Sequence, residues 1–371
     1  MSGETMRQLI KQTYLTIIRI LNVIFFLNRI KPQHIVIMMT FPEDVLPIIR
    51  ELDQRGYRLS VIAKHKDRAL LTPFKQVTYV PAGNKQVFKQ MKVLSTASVI
   101  IIDTYYLLLG GFHKKKGQTV IQTWHAAGAL KYFGLKDHQV DLNNPRMVKQ
   151  YRSVYDTTDY YLVGGEPMAT CFREAFEVND DHILRIGLPR LVPYCEMDVM
   201  AEQQRLKATY GIAGPLAIYV PTYREHQQAN RAIDPEQLHE TLPEFTIINK
   251  RHPAVADQAQ TKISLQELMT MADLIITDYS SLAIEASLLN KPVLFYVYDE
   301  AEYDRERGLN RYYQAIPEQY KAYDTAQLFE QLTHFNHHRH QWKPLFKDWH
   351  TYNSRHSLAQ LIAFIERITV K

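Results

Sequence analysis

Short runs rich in β-branched residues alternate with helical stretches after Pro32, and this alternation restricts the fold more than any other feature of the chain. It is typical of parallel α/β units, in which helices connect the strands of one sheet. We therefore expect an α/β protein with two doubly wound sheets. The predicted strands are 34–39, 58–63, 98–103, 119–124, 160–165 and 182–187 in the first series and 216–224, 245–253, 274–281 and 293–298 in the second. The predicted helices of the first series are 43–55, 85–95, 146–157 and 167–176.

The length of the chain favours two domains. A chain of 371 residues exceeds what one core usually supports, and 46% apolar residues suffice for two cores. We expect the first domain at 32–190 and the second at 191–345, with a helix at 346–371 that crosses back to the first domain. Because open α/β sheets bind ligands beyond the carboxyl ends of their strands, the site is expected in the cleft between the domains.

The segment 1–31 is predicted to contain a basic amphipathic helix. The stretch from Met6 to Lys31 has no Gly or Pro and contains five basic residues but no acidic one. Its longest run without charge, between Arg19 and Arg29, has nine residues, which is well below the roughly 20 needed to span a bilayer. This composition predicts a helix that lies on an anionic membrane surface. The alternative is a helix whose apolar side packs on the protein's own core.

Several classes of protein are disfavoured. Cys171 and Cys195 have no Cys-x-x-Cys spacing, so we expect a reducing, cytoplasmic compartment and no zinc site. Charged residues make up 22% and form no long blocks, which argues against nucleic-acid binding. The chain lacks a Gly-x-Ser-x-Gly elbow, a Walker loop, a Gly-x-Gly-x-x-Gly fingerprint and an Asp-x-Asp pair. A serine hydrolase, a P-loop kinase, a dinucleotide dehydrogenase and a metal-clamped nucleotide-sugar site are therefore not expected.

The segment 276–296 has the pattern of a strand, a turn and a helix that opens with Ser280 and Ser281. Backbone amides at a helix start, beside two hydroxyls and Asp278, form a site for a phosphate or diphosphate. An N-cap without a ligand is the alternative. Glu285 lies in the same helix, where it either binds a ribose or is a solvated residue. These four side chains are candidate substrate-binding groups.

Two further predicted strands end in polar or cationic residues. Arg251 and His252 follow Lys250 at the end of one strand, and Thr222 and Arg224 end the neighbouring strand. Such a cluster can neutralise the charge that develops on a diphosphate leaving group without a metal. We therefore expect these strand ends to bind the phosphates of the substrate.

His125 ends a predicted strand of the first series and precedes a turn of small residues. An imidazole there can accept the proton of an attacking hydroxyl, because its ordinary pKa lies near neutrality. A structural histidine in a tight turn is the alternative. Asp103, at the end of another predicted strand, either orients this histidine or caps a loop.

Four segments together resemble one known family, the CDP-glycerol glycerophosphotransferases of wall teichoic acid assembly. The resemblance extends from about Ile35 to the neighbourhood of Gly308, and the order of the motifs makes it specific. The segments are QTWHAAGALKYFG (122–134), PTYRE (221–225), KRHP (250–253) and ITDYSSLAIEASLLNKPVLFYVYD (276–299).

The resemblance implies a GT-B architecture, in which two Rossmann-like domains face a central cleft and the second domain holds the nucleotide. Carried onto this chain, it makes His125 the catalytic base and His252 a catalytic residue that contacts the diphosphate. Ser280 and Ser281 are then expected to receive the same diphosphate, and Glu285 the ribose. No metal and no cofactor are implied.

The implied reaction is the attack of an acceptor hydroxyl on the β-phosphorus of CDP-glycerol, which transfers phosphoglycerol intact and releases CMP. Arg224, Arg251 and His252 hold and neutralise the diphosphate, because phosphoryl transfer depends mostly on positioning and charge stabilisation. The expected acceptor is a disaccharide linked to undecaprenyl diphosphate. The N-terminal helix is expected to bring the enzyme to it at the cytoplasmic face of the cell membrane, as a peripheral protein.

Within the family, this chain lacks the long N-terminal extension of the polymerases and is similar to the short type that adds the first phosphoglycerol. An enzyme that adds a second unit, a short polymerase or a ribitol-phosphate relative has much the same motifs. Two readings from other classes are a nucleotide-sugar glycosyltransferase of the same fold and a membrane-bound scaffold that retains a nucleotide-binding fold.

Overall fold

The computed structural model describes residues 3–222, 233–250 and 263–369, and these ranges contain two parallel β-sheets. The first sheet consists of β1 (Lys31–Met39), β2 (Arg58–Ala63), β3 (Val77–Pro81), β4 (Ala97–Ile102), β5 (Thr119–Gln122), β6 (Tyr160–Leu162) and β7 (Ile183–Leu184). The second sheet consists of β8 (Leu216–Tyr219), β9 (Thr246–Asn249), β10 (Leu274–Thr277), β11 (Val293–Tyr296) and β12 (Lys321–Ala322).

Helices connect the strands of both sheets. In chain order the α-helices of the described ranges are α1 (Gly3–Ile24), α2 (Pro42–Gln54), α3 (Val87–Leu94), α4 (Pro145–Tyr155), α5 (Glu166–Phe176), α6 (Val192–Glu196), α7 (Val199–Tyr210), α8 (Pro235–Thr241), α9 (Leu265–Met271), α10 (Leu282–Leu288), α11 (Glu300–Arg307), α12 (Arg311–Gln314), α13 (Thr325–His338) and α14 (Ser357–Thr369).

The strand order of each sheet creates one switch point. The first sheet runs β3-β2-β1-β4-β5-β6-β7, so the chain reverses its direction of winding between β1 and β4. The second runs β12-β11-β10-β8-β9, with the reversal between β8 and β10. All paired strands in both sheets are parallel. The predicted α/β class with two doubly wound sheets is confirmed, and such switch points open the crevices in which ligands bind.

The sequence pattern missed two strands, β3 and β12. β3 lies at one edge of its sheet, where only Val80 of its five residues is buried, so the strand gives only a weak signal. β12 has two residues, which is too short to show a period. The strands of the second sheet also end earlier than predicted, since β10 stops at Thr277 rather than at residue 281. The residues after it are the loop that carries the candidate site.

The N-terminal helix α1 ends at Ile24, so the expectation of helix-compatible chain up to Lys31 is wrong in its last turns. The ammonium group of Lys115 donates hydrogen bonds to the carbonyl groups of Phe25 and Asn28, at 3.1 and 2.6 Å, and so satisfies the carbonyls of the turn that ends the helix. β1 then begins at Lys31.

One side of α1 packs on the first domain. Leu15, Ile18 and Leu21 are buried, and a Cβ on Gly111 would lie 2.8 Å from the Ile18 side chain, so the helix sits directly on this backbone. In the part of the chain that the structure describes, no helix is both long enough and apolar enough to cross a membrane. One face of α1 therefore packs on the protein's own core, as the alternative prediction stated.

The C-terminal segment returns from the second sheet to the first. The Tyr352 N–H donates to the carbonyl of Gly164 at 2.8 Å, and the side-chain oxygen of Asn353 accepts from the Leu188 N–H at 2.8 Å. Helix α14 then packs beside α2, where Arg55 and Glu366 form an ion pair of 2.7 Å. The last helix thus ties the two halves of the chain together.

Candidate active site

An aspartate carboxylate spans the switch point of the first sheet. Asp103 directly follows β4, and its Oδ2 accepts hydrogen bonds from the N–H groups of Thr40 and Phe41, which follow β1, at 2.6 and 2.7 Å. The Tyr106 hydroxyl donates to Oδ1 at 2.6 Å. Burial raises the pKa of Asp103, while these donors oppose that rise. Asp103 therefore fixes the loop that precedes α2.

An aspartate carboxylate also joins two strand ends in the second sheet. Asp278 directly follows β10, and its carboxylate accepts from the Thr222 N–H at 2.9 and 3.0 Å and from the Thr222 hydroxyl at 2.5 Å. It also accepts from the Tyr279 N–H at 2.7 Å. Thr222 and Asp278 are thus brought together at the predicted strand ends. The structure gives Asp278 a positioning role there, and direct contact of either residue with a substrate stays a prediction.

The backbone of Asp103 orients His125. The Nδ1 of His125 lies 3.0 Å from the Asp103 carbonyl oxygen. Because a carbonyl can only accept, Nδ1 carries the proton and the neutral ring keeps Nε2 as its basic atom. Of the two roles considered for Asp103, the structure shows both, since its carbonyl orients the histidine and its carboxylate caps the neighbouring loop.

Two aromatic rings hold the His125 imidazole in place. The Phe41 ring stacks on it with a centroid distance of 4.3 Å and an interplanar angle of 12°, and the Trp124 ring lies at 4.5 Å. Trp124 has a φ of 62°, which is a strained conformation for a bulky residue. Its indole packs against Phe133 and Phe172, and the backbone N–H of Trp124 donates to the Gln122 side-chain oxygen at 3.0 Å. This strained turn places the His125 ring beside the rings of Trp124 and Phe41.

Burial lowers the pKa of His125 to about 4, and the positive charges of Arg190 and Lys131 add to the effect, while the hydrogen bond to Asp103 opposes it. The imidazole is therefore neutral at physiological pH. A neutral ring with a fixed Nδ1–H is the form that can accept a proton at Nε2.

The loop that follows His125 is bound by the second half of the chain. The Asn310 side chain donates to the Ala129 carbonyl at 2.7 Å, and the Tyr132 N–H donates to the Gly308 carbonyl at 2.9 Å. A Cβ on Gly128 would collide with Trp349 and with Ile284 of α10. The loop that follows His125 therefore contacts α10, the helix at whose start the phosphate site is predicted.

The predicted phosphate site lies at the start of α10. Ser281 is the N-cap residue, without a hydrogen bond from its side chain to the helix, and the Ser280 hydroxyl accepts from the Leu282 N–H at 3.2 Å. Both serines are partly exposed. Their contact with a diphosphate stays a prediction.

Glu285 is held by a residue that the sequence analysis did not single out. Both of its carboxylate oxygens accept from the guanidinium of Arg190, at 2.9 and 2.5 Å. The Nε of Arg190 lies 2.7 Å from Asp44 Oδ1 in α2. Arg190 thus joins an acidic residue of each half of the chain. A contact of Glu285 with the ribose stays a prediction. In such a contact, the Glu285 carboxylate would bind the ribose and Arg190 at the same time.

Burial raises the pKa of Asp44 to about 8; Arg190 opposes the rise, and the negative charge of Glu285 adds to it. The side chains of Asp44, Arg190 and Glu285 are 7%, 14% and 12% exposed. Such shielding strengthens the attraction within the cluster and makes any unpaired member costly.

Three predicted site residues, Arg224, Arg251 and His252, lie outside the described residues. The structure adds Phe41, Trp124 and Arg190 to the site. No spacing in the sequence pointed to them, because each acts through contacts with distant parts of the chain. Arg190 carried one weak signal, since it is a cation inside the predicted junction between the domains.

Comparisons with known proteins agree with this geometry. The family described as CDP-Glycerol:Poly(glycerophosphate) glycerophosphotransferase matches residues 40–349. A teichoic acid glycerol-phosphate primase of Staphylococcus aureus is 46% identical over 99% of this chain and 100% of its own length. The primase of the same name from Bacillus subtilis is 32% identical over 93% and 94% of the two chains.

Longer relatives match only in part. A teichoic acid poly(glycerol phosphate) polymerase of Staphylococcus epidermidis is 25% identical over 54% of this chain and 31% of its own length. Among solved structures, the wall teichoic acid polymerase TagF superposes with a TM-score of 0.72 at 19% identity and covers 99% of this chain and 97% of that chain. This likeness concerns the fold, and it confirms the expected GT-B-like arrangement. From the family match and the relatives that it resembles over its whole length, the chain belongs to the CDP-glycerol:poly(glycerophosphate) glycerophosphotransferase family.

Proposed function

We propose that this protein transfers phosphoglycerol from CDP-glycerol to a hydroxyl of a disaccharide linked to undecaprenyl diphosphate, as a teichoic acid glycerol-phosphate primase. The observation that carries the proposal is the full-length similarity to proteins of that name, against partial similarity to a polymerase. The oriented, neutral His125, on a loop that packs against α10, supplies the proton acceptor that such a transfer needs.

In the proposed reaction, the acceptor hydroxyl oxygen forms a bond to the β-phosphorus of CDP-glycerol. The bond from that phosphorus to the bridging oxygen breaks, and CMP leaves with the bridging oxygen. His125 Nε2 takes the hydroxyl proton, since Nδ1 is engaged with Asp103. Ser280, Ser281 and the cations Arg224 and Arg251 are proposed to hold the diphosphate, which must be positioned and neutralised for transfer.

The test is product analysis by mass spectrometry after incubation of the purified protein with CDP-glycerol and a short-chain analogue of the lipid-linked disaccharide. One added phosphoglycerol with equimolar CMP supports the proposal. Several added units would indicate a polymerase, and transfer only to an acceptor that already carries phosphoglycerol would indicate a second-step enzyme. Release of CDP or UDP from a nucleotide sugar would indicate a glycosyltransferase, and inactivity with all donors a scaffold.

The exposed face of α1 supports a membrane role for this helix. Ile10, Ile17, Ile20 and Ile24 are 58%, 43%, 56% and 58% exposed, although they are large apolar side chains. At 100° per residue they fall within one sector of about 80°, opposite the buried Leu15. A continuous apolar surface on a helix of 22 residues that also carries cations suits a helix lying at an anionic bilayer surface. We therefore propose peripheral attachment to the cell membrane at its cytoplasmic side.

The variant I17Q/I20Q/I24Q is expected to bind anionic phospholipid vesicles about 100-fold more weakly than the unmodified protein, because each isoleucine loses roughly 1 kcal/mol of apolar transfer energy. Vesicle co-sedimentation measures the change. The thermal midpoint should not fall, since these side chains are already exposed. Deletion of the whole helix is unsuitable, because it would also remove the buried Leu15 and Ile18.

The matched control is L142Q/M200Q, which removes exposed apolar side chains, 60% and 73% accessible, from other surfaces. It is expected to leave vesicle binding unchanged. Equal binding by the α1 variant and the unmodified protein would refute the membrane role of this face.

A further inference from the structure

A cavity of about 310 Å³ lies between α1 and the carboxyl ends of strands of the first sheet. One wall is formed by α1 through Ile10, Lys11 and Tyr14. The opposite wall includes Thr40 after β1 and Lys64 after β2. This is the edge of the sheet at which parallel α/β domains bind their ligands. The cavity is distinct from the start of α10, where the donor diphosphate is proposed to bind.

Hydrogen bonds connect the cavity wall to the catalytic base. The Thr40 hydroxyl donates to the Tyr106 hydroxyl at 2.9 Å, and Tyr106 in turn donates to Asp103 at 2.6 Å. Thr40 and Tyr106 both line the cavity. Asp103 is the residue whose carbonyl accepts the Nδ1–H of His125. A molecule in this cavity therefore lies beside the shell of residues that positions the base.

The charge of the cavity is positive. Lys11 and Lys64 are its two charged lining residues, and it is lined by no Asp or Glu among the described residues. Both lysines are exposed, and neither forms an ion pair within the described ranges. Two ammonium groups without carboxylate partners favour an anion with more than one negative oxygen.

The mouth of the cavity adjoins the apolar face of α1. Ile10 belongs to both, since it lines the cavity and is 58% exposed. The cavity therefore joins apolar surface on α1, two lysines and, through Thr40 and Tyr106, the residues around His125. This combination matches an amphiphile with an apolar chain, an anionic linker and a polar head.

We propose that this cavity is the acceptor site, in which Lys11 and Lys64 bind the diphosphate of the lipid-linked acceptor so that its sugar hydroxyl reaches His125. The inference rests on the proposed function and deepens it, because it assigns the substrate's diphosphate to named residues. The diphosphate would then serve as an anchor that distinguishes the lipid-linked acceptor from free sugars.

A second basic groove offers a control. It has a volume of about 480 Å³ and lies on the other flank of α1, where Arg19, Arg146 and Lys149 line it. None of the residues that position His125 lines this groove. Charge alone would let it bind a diphosphate as well as the first cavity does. The two grooves therefore separate a general attraction for anions from a site that serves the reaction.

The experiment compares acceptor analogues that carry the same disaccharide and the same short chain, joined by a diphosphate or by an uncharged linker. For K11Q/K64Q we expect KM for the diphosphate acceptor to rise about 10- to 100-fold, since a charge-assisted contact contributes roughly 1.5 kcal/mol or more. KM for the uncharged analogue and for CDP-glycerol should stay unchanged. The control R146Q/K149Q should leave all three values unchanged.

Calorimetric titration of the diphosphate acceptor, without CDP-glycerol, provides a readout that does not require turnover. Binding should weaken by the same factor in K11Q/K64Q and remain in R146Q/K149Q. The inference is overturned if K11Q/K64Q binds the diphosphate acceptor normally, or if both linkers are affected equally, or if only R146Q/K149Q loses binding. A protein that binds this acceptor through the lysines but releases no CMP would instead refute the proposed function.

Discussion

H125Q is expected to lower kcat by about 10²- to 10⁴-fold, the usual contribution of a positioned general base. Glutamine keeps a polar side chain of similar reach, but its amide cannot accept the hydroxyl proton. KM for CDP-glycerol should change little, because the imidazole contacts Asp103, Phe41 and Trp124 rather than the residues proposed to bind the donor. Release of CMP, measured at saturating donor and acceptor, gives the result.

The pH profile separates loss of the base from loss of structure. Because burial lowers the pKa of His125 to about 4, the acidic limb of kcat/KM for the unmodified enzyme should fall near that pH, with no decline due to His125 between about pH 5 and 7. The limb should disappear in H125Q. A depressed histidine pKa also means that its contribution to stability is present above the unfolded value of 6.5 and is lost as pH falls towards 4.

H182Q is the matched control. The Nδ1 of His182 also meets a backbone carbonyl, that of Asp159, at 2.8 Å, but this histidine lies at the start of β7, the amino end of its strand. Its substitution should leave kcat within about twofold. Near-normal turnover by H125Q would refute the assignment of His125 as the base. An equal loss of kcat in H125Q and H182Q would indicate a folding defect.

The sequence predicted the edge of each sheet at which the candidate site residues lie, because β-branched runs end where the polar residues begin. Thr222 and Asp278 meet at one switch point and Asp103 and His125 at the other, as expected from strand ends in parallel sheets. The sequence did not predict how these residues act. The carboxylates of Asp103 and Asp278 accept backbone N–H groups from neighbouring strands, and such bonds depend on register, which a single strand does not encode.

The outward and inward faces of α1 illustrate a different limit. Apolar residues occur on nearly all sides of this helix, so periodicity predicts the helix but not which side packs. That choice depends on Gly111, whose bare backbone lets Leu15 and Ile18 approach closely. This glycine lies far away in the sequence, and nothing in the helix itself identifies it.

Arg190 was missed for a related reason, because its two partners belong to different halves of the chain. Asp44 lies in α2 and Glu285 in α10. Their carboxylates meet the guanidinium of Arg190 only because the two halves of the folded chain are in contact. Glu285 lies in α10, the helix that the strand–turn–helix pattern predicted. Its ion pair makes it part of the joint between the domains, whether or not it also binds the ribose.

R190M is expected to destabilise the protein by about 3 to 5 kcal/mol, since it leaves two shielded carboxylates without their cation. Urea denaturation followed by circular dichroism measures the change. The control R152M breaks the bidentate pair of Arg152 with Glu177, whose side chains are 52% and 49% exposed, and should change the free energy of unfolding far less than R190M does.

The loss of unfolding free energy in R190M should also depend on pH. Asp44 already has a raised pKa, and loss of Arg190 removes the group that opposes the rise. A carboxyl whose pKa is higher in the folded than in the unfolded protein binds more protons when folded, so its penalty grows as pH rises. Both proteins lose stability in parallel while Asp44 stays protonated in the folded state, so the difference in unfolding free energy between R190M and the unmodified protein should open above about pH 8 and be larger at pH 9 than at pH 7. A small difference at both pH values would show that the ion cluster does not hold the two domains together. The contact between them would then depend on the hydrogen bond of Asn310 and on the packing of Trp349 against Gly128.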